Sequence, residues 1–497
     1  MKKQIIFTII ALSMVIAACP QLMAAEETQT DMTEAMKQSL VYLDISCYGY
    51  DQVRPWKQAD IIHKPGTGCA VSEYEVITST WNLTDAKLIK ARKYGQNDFI
   101  PVTVKVIDYE SNLTLLRLDP NYMDKPLKPL KFVEQFERGV KLDYYWLDSQ
   151  SQLTRGQSYL SRTEMHRSMT SYYEYMMFIA TNTSEQTGIG QVYFNGQSPI
   201  AIACWSEKTK EAGLIPAVII NKFLSDVRDG SYEGFPSVGF STGELLDPAM
   251  RAYLKMPSSI KHGVLVTDVY NMGTASEALK PNDVILAIDG KELNPYGRFL
   301  HPMYERVTFQ HLIAMHNIGE NITFDIWRDG AQQQIEVKAK NFNVQDMLVP
   351  YYEYGRQPEY VITGGFILQK LTRAYLAQWG DDWKGQVTPH LYHYYRDSFK
   401  PTDERRSIVI LSYVLPANIN LGYQSLGQMV VKKFNGMTIR SVADIIAAQK
   451  LNPESKYDVI EFELDNPDVV IDREQSSAAD ILISRNYGIG KLVNINQ

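Results

Sequence analysis

The stretch Val102-Thr103-Val104-Lys105-Val106-Ile107-Asp108-Tyr109-Glu110-Ser111-Asn112-Leu113-Thr114-Leu115-Leu116-Arg117-Leu118 is two extended runs, rich in β-branched and apolar residues, hinged on a polar five-residue turn. Such runs fit a pleated, half-buried surface better than a helix face. Working outward, the same kind of segment recurs through residues 39–227, broken by turn residues at intervals of roughly ten. Two glycine-containing corners belong to it: Gly66-Thr67-Gly68-Cys69-Ala70-Val71 leading to Val76-Ile77-Thr78-Ser79-Thr80-Trp81-Asn82-Leu83, and Thr187-Gly188-Ile189-Gly190 leading through Gly196 to Ile200-Ala201-Ile202-Ala203. That spacing predicts an all-β unit, sandwich or barrel. It closes with residues 215–227, where apolar residues take helical spacing and Pro216 sits near the first turn.

The chain has 497 residues, 45% hydrophobic and 22% charged, with a formal net charge of −7. That is too long for one domain and ordinary for a globular protein. Nucleic acid demands a clustered basic face, and no Lys/Arg run supplies one. Met1-Lys2-Lys3 followed by an uncharged apolar stretch over 5–18 reads as a secretory signal, so residues 1–24 are assigned to a signal peptide and the mature protein to export. Two processing sites compete. Ile16-Ala17-Ala18-Cys19 has the form of a bacterial lipobox that would lipidate Cys19, the only membrane attachment expected. Leu22-Met23-Ala24 would instead release a soluble protein. Beyond Cys19 only Cys47, Cys69 and Cys204 remain, which cannot all pair; Cys69 and Cys204 are expected as small buried residues in strands.

A linker, Arg228-Asp229-Gly230-Ser231-Tyr232-Glu233-Gly234, ends the first half. In the next unit, 235–340, Leu279-Lys280-Pro281-Asn282-Asp283-Val284-Ile285-Leu286-Ala287-Ile288 runs into Asp289-Gly290, a dipeptide suited to a type I′ hairpin turn because both positions take positive φ. A helix is expected over 305–317, then a strand over 321–327 and a turn at Asp329-Gly330. The pattern returns at 357–489, where Ile362-Thr363-Gly364-Gly365-Phe366, Ile408–Val414 and Met429–Gly436 echo the earlier unit around a long aromatic and charged insert, 371–406.

These segments resemble the HtrA/DegP family, and the order of units is similar to the plant and bacterial Deg-type proteases with an atypical second PDZ domain. Pro55-Trp56, Glu305-Arg306-Val307-Thr308-Phe309-Gln310-His311-Leu312 and Tyr375-Leu376…Trp379-Gly380-Asp381-Asp382-Trp383 carry the closer likeness. The resemblance implies a mainly β chain: a trypsin-like double β-barrel over 39–230, a PDZ domain over 235–340 and a divergent PDZ-like α+β unit over 357–489. It also implies a homo-oligomer, a trimer in the family, located in the bacterial cell envelope, periplasmic or lipid-anchored.

The family's histidine, aspartate and serine fall here on Trp81, Asn112 and Gly188. A serine needs a base to take its proton and the acid orients that base, so this substitution set implies a pseudoprotease. Ser184 lacks the glycine turn of a nucleophile, Gln186 replaces the family's first glycine, and the only barrel histidines, His63 and His166, read as surface residues. The expected activity is therefore binding. Val238, Gly239, Phe240 and Ser241 match the PDZ carboxylate loop and the strand beside it, with Val307 and Leu312 as pocket walls, for peptide C-termini or unfolded proteins. Gly364-Gly365-Phe366 is a second loop whose groove the 371–406 insert is placed to cover. The alternatives are an active endopeptidase with another triad and a non-catalytic scaffold subunit of a related protease. No cofactor is implied, and no metal: His311/His316 are spaced i,i+5, off a common helix face, and His390/His393 have no cysteine or carboxylate cluster with zinc-like spacing nearby.

Overall fold

The computed structural model describes residues 32–136, 139–183, 188–206, 210–464 and 466–496. The expected signal peptide, Cys19, Ser184 and Gln186 lie outside the described residues. Strands β1 (Leu40–Gly49), β2 (Asp60–Ala70), β3 (Glu75–Ser79), β4 (Ala86–Lys93), β5 (Ile100–Asp108) and β6 (Leu113–Leu118) close a barrel in the order β1-β2-β3-β6-β5-β4. A second barrel uses β7 (Lys141–Leu147), β8 (Leu153–Arg167), β9 (Glu174–Asn182), β10 (Val192–Asn195), β11 (Ser198–Ser206) and β12 (Glu211–Pro216), in the order β10-β11-β12-β9-β8-β7. Closure removes sheet edges, and alternation along each strand fills the interiors. Cys47, Cys69 and Cys204 are buried and unpaired. After Pro216 a helix, Ala217–Arg228, lays Ile219, Ile220 and Phe223 onto the second barrel's core.

The next sheet has the order β13 (Phe240–Gly243), β14 (Val264–Val269), β15 (Val284–Ile288), β19 (Asn321–Arg328), β20 (Ala331–Lys338), with β16 (Lys291–Glu292) on β15. Asp289 and Gly290 have φ of 46° and 69°, the positive pair that the type I′ turn requires. The helix expected over 305–317 is corrected. Residues 305–308 form β18 (Glu305–Thr308), which pairs with β17 (Arg298–His301), and the helix is only Gln310–Ala314. Val307, opposite Phe299, is buried while Arg306 points outward, a period-two pattern that the apolar spacing of the segment conceals.

The last unit is a sheet in the order β27 (Val469–Asp472), β26 (Tyr457–Phe462), β24 (Met429–Phe434), β23 (Val409–Val414), β22 (Phe366–Lys370), β21 (Tyr360–Thr363), β28 (Val493–Asn494), with β25 (Met437–Thr438) on β24. The insert folds into short helices, Arg373–Leu376, Trp383–Gln386 and Pro389–Arg396, that bury Tyr375, Trp383 and Leu391 against Ile408, Ile410 and Val430. A tyrosine-rich segment, 349–355, ties this unit to the barrels. The Tyr352 hydroxyl donates to Asp85 Oδ2 (2.6 Å), the Gly355 N–H to Asp85 Oδ1 (2.6 Å), and the Tyr109 and Tyr354 rings stack with centroids 3.7 Å apart.

Candidate functional site

Strand β3 ends at Ser79 and turns through one 3-10 turn, Thr80–Leu83, that presents Trp81. The β5–β6 turn, held by Asp108, which accepts the N–H groups of Glu110 (2.9 Å) and Ser111 (3.2 Å), presents Asn112 with a φ of 60°. Asparagine tolerates that left-handed conformation better than most side chains. Asn112 is fully buried, and its Oδ1 accepts the Trp81 N–H (2.9 Å) and the Ser79 hydroxyl (3.0 Å). The amide therefore clamps the backbone of the neighbouring turn. Beneath it, the Asp108 carboxyl, buried and pushed up by desolvation, also accepts the Tyr232 hydroxyl (2.6 Å).

The structure thus brings Trp81 and Asn112 together. Gly188 lines a cavity of about 630 Å³ together with Tyr42, Pro65, Trp146 and Gln191. The glycine that its turn requires is Gly190: with a φ of 86°, a Cβ there would sit 2.2 Å from the Thr67 carbonyl oxygen. His63 is exposed on β2, its Nδ1 3.3 Å from the Ser46 hydroxyl. His166 is the last residue but one of strand β8, and its Nδ1 donates to the Arg167 carbonyl (2.8 Å). Among the described residues no three His, Cys, Asp or Glu side chains form a metal-holding group.

The second candidate is the loop ahead of β13. Gly239 has a φ of 83°, and a Cβ there would meet the Thr274 carbonyl oxygen at 2.3 Å, so only glycine fits. Its carbonyl accepts the Tyr270 N–H (2.9 Å). Strand β13 is the terminal strand of its sheet, paired with β14 alone, which leaves its outer edge open to another strand. Beside it lies a cavity of about 330 Å³ lined by Val238, Gly239, Phe240, Ser241, Phe309 and Gln310. Phe240 stacks on Phe309 at 5.4 Å, and the buried Gln310 Oε1 has no partner among the described residues.

Val307 and Leu312 do not line this cavity; both pack into the core beneath it. Phe309 and Gln310, within the same segment, take the wall positions because residues 305–308 are strand. Other units supply further walls: Arg167, Tyr172, Tyr173 and Glu174 of the second barrel, and Phe399 of the insert, stacked on Tyr270 at 4.9 Å. Nothing local in the sequence signals those long-range neighbours.

The second loop differs. Both edges of β22 are paired, to β23 and to β21, so the chain's own β21 occupies the slot that β13 leaves open. The Gly364 N–H donates to Asp480 Oδ1 (2.8 Å), a carboxylate from the helix Arg473–Tyr487. The insert, placed by the sequence over this groove, packs instead on the Ile408–Ile410 side and reaches the first loop through Phe399.

Two closed barrels followed by two sheets, each with a glycine loop ahead of a strand, define a trypsin-like double barrel carrying PDZ domains, and PDZ-domain models match residues 244–339 and 349–493. The chain is 27% identical over 489 residues to Protease Do-like 2, chloroplastic, of Arabidopsis thaliana, covering 94% of this chain and 77% of that one. It is 24% identical to Putative protease Do-like 12, mitochondrial, of the same plant, covering 82% and 77%. Among solved structures, an HtrA-type protease, AlgW with decapeptide, superposes with a TM-score of 0.48 at 16% identity, covering 63% of this chain and 99% of that one. The chain thus carries two PDZ domains and is homologous over most of its length to the HtrA/Do-like proteases.

Proposed function

We propose that this protein is a non-proteolytic member of its family that captures peptides through its first PDZ domain, as an exported envelope adaptor or holdase assembled from several copies. The observation that carries the reading is the state of Asn112: its single side-chain oxygen is taken by the Trp81 N–H and the Ser79 hydroxyl, and the residue beside it is an indole. Neither side chain accepts a proton near neutral pH, so neither supplies the base that a triad serine needs. Loss of a triad as a unit lowers turnover on the order of a millionfold, whereas the fold stays intact.

Peptide capture is supported by the open edge of β13, the glycine-only bend at Gly239 and the cavity beside Phe240 and Phe309. An added strand gains main-chain hydrogen bonds, and its last side chain enters the cavity. Two measurements test the reading together. A fluorophosphonate serine probe is expected to leave the mature protein unlabelled beside an active HtrA control, and a peptide array is expected to bind wild type and lose binding in Gly239→Val. Labelling would replace the pseudoprotease reading by an active endopeptidase; equal peptide binding by Gly239→Val would remove the first PDZ domain from the mechanism.

A further inference from the structure

Trp81 has 37% of its surface exposed, and its indole N–H has no partner among the described residues. It opens onto a cavity of about 510 Å³ that no single unit contains: Tyr50 and Trp81 come from the first barrel, His166 from the end of β8, Tyr351 from the segment that leads into the second PDZ domain, and Arg373 from that domain's insert. A volume of that size suits a small organic ligand. Its walls combine flat apolar faces with cations. Arg373 is half-buried, has no ion pair among the described residues, and stands over the Tyr351 ring at 4.4 Å. Arg167, the other guanidinium, is engaged by the Tyr395 hydroxyl (3.2 Å) and Glu174 (3.5 Å). The acid in the lining, Asp85, has both oxygens taken by the Tyr352 hydroxyl and the Gly355 N–H.

A partly desolvated guanidinium without an anion, facing aromatic walls, is matched by a ligand that brings both a ring and a negative charge. We propose that this cavity binds an aromatic carboxylate, its ring against Trp81 and its carboxylate on Arg373. The residue at the family's histidine position then serves as a binding wall. This site adjoins the first PDZ cavity at Arg167 but does not rest on peptide capture there.

The test is calorimetric titration of the full chain with 1-naphthoate and with neutral 1-naphthalenemethanol. One site per chain is expected, with the alcohol at least tenfold weaker, since charge-assisted hydrogen bonds supply about a factor of ten or more. Arg373→Gln and Trp81→Ala are each expected to weaken naphthoate about tenfold with an unchanged melting temperature, and Trp81→Phe to restore most of the binding. Displacement of bound naphthoate separates the sources of the carboxylate. Stronger competition by a pentapeptide ending in tryptophan than by N-acetyl-tryptophan assigns the site to peptide C-termini, and equal or weaker competition assigns it to small carboxylates. Absence of saturable naphthoate binding, or equal binding by Arg373→Gln and Trp81→Ala, overturns the proposal. If the glutamine variant does not fold, the Trp81→Ala and Trp81→Phe pair decides it.

Discussion

Asn112 and Glu110 sit two residues apart in one buried turn, and each makes a different demand on the protein. Asn112 closes two hydrogen bonds in a left-handed conformation. Replacing it with alanine leaves the Trp81 N–H and the Ser79 hydroxyl without their acceptor and strains the backbone, an expected loss of about 2–4 kcal/mol in urea unfolding. Glu110 is buried, and burial, with Asp108 beside it, raises its carboxyl well above the ordinary range. An acid raised in the native state holds its proton after the unfolded chain has released it, so stability is full below about pH 4 and falls as pH rises above it. Glu110→Gln is therefore expected to flatten that fall and to raise the unfolding midpoint at pH 8 while changing little at pH 4. The sequence exposes the residue types at Trp81, Asn112 and Gly188. It does not expose that the Asn112 side-chain oxygen accepts the Trp81 N–H, because that bond depends on how the β5–β6 turn packs on the turn after β3.

Among the elements, those whose chemistry is local are legible: the Asp289-Gly290 turn and the helix after Pro216. The segment 305–317 is not, since β18 exists only through its pairing with β17, and a short strand running into a helix gives mixed periodicity. Strand β21 is equally hidden. Read alone, Tyr360–Thr363 leads into a glycine loop; only pairing with β22 reveals that it fills a groove. Asp480 completes that closure, its carboxyl raised to about 6 by burial against the opposing hydrogen bond from the Gly364 N–H. The sign is the same as for Glu110: the native state keeps the proton between roughly pH 4 and pH 6, so stability falls with rising pH across that window. Asp480→Asn retains an oxygen for the Gly364 N–H and loses the charge. The expected outcome is a smaller pH dependence of the melting temperature between pH 4 and 7, with the second PDZ domain no less stable at pH 7.

At the scale of the whole molecule, the contacts that decide which cavities exist join residues far apart in sequence, and these are the ones that motif and period cannot reach. Asp85, with a φ of 59°, takes one donor from Tyr352 and one from Gly355, while Tyr109 stacks on Tyr354 and the Tyr351 hydroxyl donates to the Met169 carbonyl (3.1 Å). Domain interfaces within a chain are by default loose, but a buried carboxylate with both oxygens satisfied and stacked rings around it make this seam a specific one. Asparagine at position 85 offers one acceptor and turns an NH₂ toward a donor, so one of two buried donors is left unmet at a cost of about 1–3 kcal/mol. Tyr354→Ala removes the stacked ring and the hydroxyl bond to Thr170 together. The expected outcome is a change in cooperativity. Wild type is expected to resist proteolysis in the 341–359 connection and to melt its barrels and second PDZ domain together. Asp85→Asn, and more so Tyr354→Ala, is expected to expose that connection to cleavage and to split the calorimetric transition in two. Because Tyr351 reaches the cavity beside Trp81 through this seam, Tyr354→Ala, which also removes a ring from the cavity wall, is expected to weaken 1-naphthoate binding. A single intact transition and wild-type protease resistance in Tyr354→Ala would mean that the domains are held by some other surface.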